Sequence, residues 1–440
     1  MMDWNRLLSH ARPNDRGTSG SGHRSAFDQD FDRIIFSHPF RKLQDKTQVH
    51  PLPEEDFVHT RLTHSLEVSS VGRSLGREAG RVIIERYPQL AATYTAVDIG
   101  AIVASAALAH DIGNPPVVHT GEEASSGFFK HHPAGQKFRA SVTDKQWKDL
   151  ITFEGNAQGF RIISRGHYGL RLTAAMRGAF MKYPCLSLHE KVAGRKSQKK
   201  YGYFESETAQ FNALAAELEL IPLAEGCHVR HPLAFLVEAA DDICYSIIDL
   251  EDGCRLGLVS LEEIIDLVAP ILGASLDRER LRNIPSLNEQ LGVLRAMTIN
   301  ELTRAGAEVF LDHEREILSG TFDQALTDTC VHNHALATIA GVSLERIYRA
   351  RHVTEIEAAG FEILPGLLNL FCDAAEGIMN GSASKHDQLI WRLLPAETTT
   401  AITACGNDTY AMLRLVIDHV SGLTDRHALG LFRKLKGISR

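Results

Sequence analysis

Two histidines and two aspartates in this chain have the character of metal ligands: His64 in RLTHSLEV, the adjacent His110 and Asp111 in ASAALAHDIGNPP, and Asp241 in FLVEAADDICYSIIDLEDG. Two imidazoles and two carboxylates suit one divalent cation, with positions left for water and a substrate oxygen. The chemistry of such a centre is metal-dependent hydrolysis, and a phosphate-bearing substrate fits it.

The elements must solve a geometric problem. Neighbours on a helix point about 100° apart, so His110 and Asp111 can share an ion only at a helix end. Ala104, Ser105, Ala106, Ala107 and Ala109 make a slim helix, and Gly113, Pro115 and Pro116 stop it. Asp241, Tyr245 and Asp249 recur every fourth residue and form one stripe. Carboxylates are rarely buried unless paired or metal-bound; a cation would hold Asp241 ionised. Each part also has a plain reading. The chain has 21 histidines, His64 alone could be structural, and a His-Asp dipeptide often lies on a solvated face. The ordered combination carries the inference.

Helical periodicity runs through 27–37, 62–86, 93–111, 145–164, 205–219, 231–251, 260–272, 286–318, 330–340, 343–358, 363–380, 385–393, 395–403, 406–421 and 424–436. Alternating β-branched runs are nearly absent, and a short hairpin is expected only around 181–204. The expected fold is all-α with at most a small β-hairpin. Residues 11–25 are rich in Pro, Gly, Ser, Asn and Asp. The domain reading is a flexible N-terminal arm over 1–25, a catalytic core over 26–255 and a helical C-terminal region over 256–440 packed on it.

A 44% hydrophobic content in 440 residues supports a large core and excludes global disorder. The net charge of -8 argues against a surface that embraces nucleic acid as a whole. Seven scattered cysteines without a CxxC suggest ordinary thiols in a reducing cytoplasm, not a zinc ribbon or disulfide framework. The N-terminus has no signal-like apolar core, and the longest apolar run, Ile99 to Ala109, is short for a bilayer span. The expectation is a soluble cytoplasmic protein with no membrane role.

FDRIIFSHPFRKLQDKTQV at 31–49, TRLTHSLEV at 60–68, LAHDIGNPPVVHTGEEA at 108–124, FEGNAQGFRI at 153–162, EAADDICYSIIDLEDG at 238–253 and SGLTDRHALGLFRKLKG at 421–437 extend the pattern over most of the chain. Together these segments resemble the HD superfamily of metal-dependent phosphohydrolases, and within it the deoxyguanosine triphosphate triphosphohydrolase-like branch. LQDKTQV and EGNAQ are far more specific than the His-Asp doublet.

The resemblance implies that His64, His110, Asp111 and Asp241 bind one divalent metal ion (Mg, Mn, Co, Ni, Fe or Zn). Tyr245, one turn beyond, selects Asp241 over Asp242. It implies hydrolysis of deoxynucleoside triphosphates at the α-phosphorus to deoxynucleoside and inorganic triphosphate, with dGTP as the candidate preferred substrate. Catalysis would use His119 and Glu122, three apart in HTGEEA, with the histidine as proton donor to the leaving 5′-oxygen. Gln48 and Asp249 would take the 3′-hydroxyl, and Tyr245 would close over C2′ and exclude ribose. Arg61, on the His64 face of its helix, and Lys200, in KKYGYF, are phosphate candidates; so is Arg426 in LTDRHA. Asn114 stands where some HD triphosphohydrolases carry histidine, and is counted with the substrate-binding residues. Glu154 and Asn156 belong to the expected site without a derived role. Family members also form homo-oligomers, for which the apolar FEILPGLLNLFC offers a contact that core packing explains equally well. Some bind single-stranded DNA, for which 194–200 and 433–440 supply local positive charge. Two alternatives stand beside this reading: another HD phosphohydrolase acting on nucleotides (a nucleotidase or an alarmone or cyclic-nucleotide hydrolase), and a single-stranded nucleic-acid sensor on the same fold.

Overall fold

Small residues at every fourth position bring the two histidine helices together. In the computed structural model, which describes residues 1–13, 24–49, 59–189 and 192–438, the Arg61–Arg86 helix lies along the Ala96–Ala109 helix. Gly72, Gly76 and Gly80 form the seam: a Cβ at Gly76 would lie 2.9 Å from the Gly100 Cα. Thr60 and Thr95 start the pair with reciprocal caps, to Thr63 and Asp98 respectively. The Pro232–Arg255 helix packs across both, and Leu287–Asp312 packs behind it. Its buried Leu233, Leu236, Ile243, Cys244 and Ile247 join Leu75, Val103 and Leu302 in the larger hydrophobic core.

A second core forms around Arg351–Met379, packed on Val118–His131 and Thr409–Ser421. By length and composition Arg351–Met379 is apolar enough to cross a membrane, but half of its most apolar window is buried within the protein. Leu364, Leu367, Phe371 and Cys372 are fully buried there. Core packing therefore accounts for the buried side of the run that also suggested a subunit contact, while Phe361 at its start is exposed.

The fold is helical as expected, with differences of detail. Residues 1–8 are no arm: Trp4, Leu7 and Leu8 are buried, and the Trp4 indole donates to Glu314 at 2.9 Å. Residues 14–23 of the expected arm lie outside the described residues. The cores do not divide at residue 255. Helices up to Ile347 join the first, whereas Ala124, Phe128 and Phe129 join the C-terminal helices in the second. The expected 145–164 helix splits at Thr152–Glu154, where Glu154 caps a new start. The 343–358 segment breaks before Arg351, with Ile347 buried against Gly253 and the Tyr348 hydroxyl bound to Asp249. The hairpin is Pro222–Ala224 with Cys227–His228, later than expected, and 181–204 meets it only through isolated bridges. One of those bridges sets Cys185 opposite Cys227, and the two are joined as a disulfide. Their separation of 42 residues left no spacing signal for this pairing.

Candidate metal centre and substrate cavity

His64 reaches the centre from the first turn of its helix, and His110 from the end of the slim alanine helix. Donor atoms of His64, His110 and Asp111 lie within 4.8 Å of one another. Asp241 joins them: its Oδ1 is 3.2 Å from His64 Nε2 and 3.4 Å from His110 Nε2. The doublet solves its angular problem as expected, because the chain leaves the helix at His110. Gly113 then packs backbone to backbone on the Gly155–Ser164 helix, with a Cβ there meeting Gly159 N at 2.1 Å.

The donor chemistry fits a cation. His110 Nδ1 lies 2.7 Å from the Ala107 carbonyl and donates its proton there, so Nε2, which faces the carboxylate oxygens, is the nitrogen that would exchange its proton for a metal ion. An imidazole tied back in this way is the usual arrangement of a metal ligand. Burial disfavours charge on His110, yet Asp111 and Asp241 outweigh it and lift the ring to about 9. The same carboxylates would favour a metal ion in the proton's place. Burial likewise opposes ionisation of Asp241, but His110, His64 and Lys182 hold it well below the usual carboxylate range.

Asp242 also lines the cavity, and its Oδ2 accepts from the Thr327 hydroxyl at 2.8 Å. Arg61 does not stand free for phosphate: its Nη1 pairs with Asp111 Oδ2. Asn114 Nδ2 donates to the other Asp111 oxygen at 2.5 Å. Both residues line the cavity, but their fixed contacts are to the candidate ligand Asp111.

A cavity of about 600 Å³ opens above these groups. Gln48, Arg61, Asn114, Glu122, Asn156, Lys200 and Tyr245 all line it. Gln48 is buried, and among the described residues its Oε1 has no hydrogen-bond partner. Tyr245 stands beside Tyr348, ring centroids 5.4 Å apart. Asp249 is not on the wall; its Oδ2 accepts from the Tyr348 hydroxyl at 2.6 Å, and burial lifts it to about 8. Tyr348 is the lining residue at that point, and no local pattern around it marks it out.

Glu122 accepts the Gly155 N–H at 2.7 Å. Lys200 bridges Glu122 at 3.4 Å and Glu154 at 3.1 Å, so two carboxylates already share its charge. Burial and the nearby Glu122 raise Glu154 above the ordinary range, with Lys200 opposing. The His119 side chain lies outside the described residues; its backbone is in the first turn of Val118–His131. Arg426 is largely exposed, pairs with Asp45 at 3.3 Å and is not part of the wall.

Three residues that sequence reasoning missed organise the site. Lys182 lines the cavity 3.8 Å from Asp241 and 3.7 Å from Glu238. Buried Asp425 accepts from Thr47 N–H at 2.8 Å with one oxygen and from Val117 N–H at 3.0 Å with the other. It clamps the Gln48 segment to the start of the His119 helix, where Val117 takes a left-handed φ of 61°, costly for a β-branched residue. Lys46 donates to the Asn114 and Ser421 carbonyls, and burial lowers it to about 7. The signal lies in the motifs themselves, since LQDKTQV contains Lys46 and LTDRHA contains Asp425 beside Arg426.

The wall carries Arg61, Lys182, Lys199 and Lys200 against Asp111, Glu122, Glu238, Asp241, Asp242 and Glu357. Carboxylates outnumber cations, so a polyanionic ligand would need added positive charge, which a divalent ion supplies.

An all-helical body with this donor set has the character of an HD-domain protein, and the HD domain profile matches residues 61–151. That span includes His64, His110 and Asp111, while Asp241 lies beyond it. The phosphohydrolase-associated domain profile matches residues 331–434. A deoxyguanosinetriphosphate triphosphohydrolase-like protein of Synechocystis sp. is 40% identical over the full length of both chains. One of Pseudomonas aeruginosa is 38% identical over 100% of this chain and 99% of its own. A deoxyguanosinetriphosphate triphosphohydrolase of Enterobacter sp. is 30% identical over 99% of this chain and 98% of its own. The chain belongs to the deoxyguanosinetriphosphate triphosphohydrolase-like family.

Proposed function

We propose that this protein hydrolyses deoxynucleoside triphosphates to deoxynucleoside and inorganic triphosphate, with dGTP the first substrate to test. The observation that carries the reading is the convergence of His64, His110, Asp111 and Asp241 at one side of a cavity of nucleotide size. These four residues would hold one divalent ion, which when bound supplies Lewis-acid activation of the α-phosphate and of water.

The chain's own groups do the rest. Arg61 and Asn114 fix both oxygens of Asp111. Lys182, Lys199 and Lys200 face the triphosphate. Lys200 exchanges part of its contact with Glu122 and Glu154 for phosphate oxygens. Gln48, whose carbonyl has no partner among the described residues, accepts from the sugar 3′-hydroxyl. Asp249 acts on the sugar end only through Tyr348. Tyr245 lies against C2′ and leaves no room for a ribose oxygen. His119 gives its proton to the leaving 5′-oxygen, with Glu122 held by Gly155 N–H nearby in sequence.

The test is product analysis after incubation with each dNTP and Mn²⁺ or Mg²⁺. Deoxynucleoside with intact tripolyphosphate supports the reading. Orthophosphate or pyrophosphate as the sole phosphate product points to another HD phosphohydrolase and rejects it. Salt-dependent binding of single-stranded DNA that survives His64→Ala, without turnover of any dNTP by the intact protein, would favour the sensor reading.

A further inference from the structure

Away from the cavity, Cys185, His189 and Cys227 bring two sulfurs and an imidazole nitrogen within 4.8 Å of one another. Both cysteines are buried and His189 is half-buried. The antiparallel bridge between Cys185 and Cys227 sets the sulfurs side by side, and the Leu186 N–H to Gly226 carbonyl bond at 2.8 Å fixes that register. His189 enters on the turn that follows, its N–H bound to the Leu186 carbonyl at 2.9 Å.

The imidazole is oriented from behind. His189 Nε2 is 3.2 Å from the Oε1 of Gln198, itself 3% exposed. An amide oxygen only accepts, so Nε2 carries the proton and Nδ1 is left with its lone pair. A ligand ring held through its second nitrogen by a buried acceptor is how proteins orient metal-binding histidines. Two thiolates and an imidazole are the donors that thiophilic divalent cations choose over hard ones.

We propose that Cys185, Cys227 and His189 form a second metal site, for Zn²⁺ or a similarly thiophilic divalent ion, which is occupied when the two sulfurs are reduced and emptied when they join as the disulfide. With a small-molecule disulfide as oxidant, the two cysteine thiolates lose two electrons, form the S–S bond and release the cation. The incoming disulfide takes the electrons and departs as two thiolates. Three protein donors are one fewer than a closed structural zinc site has, which suits an exchangeable ion. The position gives the site something to hold. The segment it anchors leaves the cavity wall at Lys182 and Tyr183 and returns at Lys199 and Lys200, and Gly202 N–H closes it on the Cys185 carbonyl at 3.0 Å.

The experiment uses full-length protein, reduced and chelator-treated, titrated with Co²⁺. A thiolate-to-cobalt charge-transfer band is expected, and it reports on this site because the His64 centre contains no sulfur. The band should vanish in Cys227→Ser, and Gln198→Ala should weaken Co²⁺ binding about 10- to 100-fold. Should the variants misfold, the wild type still decides: Co²⁺ should protect Cys185 and Cys227, and not Cys405, from alkylation. Fully reduced wild-type protein with no thiolate band and no protection would overturn the proposal. So would a band of unchanged affinity in a folded His189→Ala.

Discussion

Gly113→Ala tests how the His-Asp doublet is positioned. A Cβ at this site would lie 2.1 Å from Gly159 N and 2.2 Å from Gly155 O, where ordinary contact begins at 3.4 Å. The obstacles are backbone atoms of the EGNAQ helix, which cannot rotate away, so the two segments must separate by about 1 Å. Overpacking of this kind costs about 1–3 kcal/mol of stability. The larger effect falls on turnover. Asp111 is two residues away, and misplacing a reacting group by about 1 Å costs roughly 100-fold in rate, about 2.7 kcal/mol of barrier. Steady-state kinetics with dGTP should show that loss in kcat/KM, with a fall of a few degrees in Tm by calorimetry. Gly127→Ala is the control, since a Cβ there meets nothing within 4 Å; it should keep full activity and gain up to about 1 kcal/mol from helix propensity. Wild-type kcat/KM and Tm in Gly113→Ala would refute the reasoning.

Asp425→Ala removes both clamps, each a charge-assisted bond worth about 1.5–3 kcal/mol, and should lower kcat/KM while bound Mn²⁺ stays constant; Asp425→Asn, with one acceptor oxygen, should recover part of the loss, and equal loss in both variants would contradict the clamp. Tyr245→Ala should reduce the preference for dGTP over GTP at least about tenfold, whereas unchanged selectivity in competition assays would exclude a steric gate. His231 gives a pH dependence: its Nε2–H donates to the Leu7 carbonyl at 2.9 Å, its Nδ1 accepts from Leu233 N–H at 3.1 Å, and burial, only partly offset by the Leu7 bond, lowers the ring to about 4. The folded state therefore binds fewer protons than the unfolded chain, so this stabilisation is complete above about pH 6.5 and is lost as pH falls toward 4, by about 3 kcal/mol. Denaturant titrations at pH 7 and pH 4 should show that loss in the wild type, and a correspondingly smaller one in His231→Asn.

The parts of this protein legible in its sequence are those with local causes. Alanines before a Gly-Pro stop placed His110 and Asp111 at a helix end, and the four-residue spacing placed Asp241 and Tyr245 on one face. Pairings made across the fold left no local trace. Arg61 reads as a free cation until Asp111 is found on its guanidinium, and Lys200 until Glu122 and Glu154 are found on its ammonium. Asp249 shares a stripe with Asp241, yet Tyr348, from a segment 99 residues away, takes its carboxylate. The first residues read as an arm because Pro, Gly and Ser follow them, while Trp4, Leu7 and Leu8 fill a gap that only the assembled helices create. Cys185 and Cys227 carry no spacing signature, and meet only because a short hairpin forms between distant helices.

Mn²⁺ binding measured by equilibrium dialysis with paramagnetic detection tests the centre most directly, because a hard ion prefers the His64 site to thiolates. One Mn²⁺ per chain is expected in the wild type, with binding lost in His64→Ala, His110→Ala, Asp111→Ala and Asp241→Ala, and retained in Asp242→Ala. A folded Asp241→Ala variant that binds Mn²⁺ as tightly as the wild type would contradict the account.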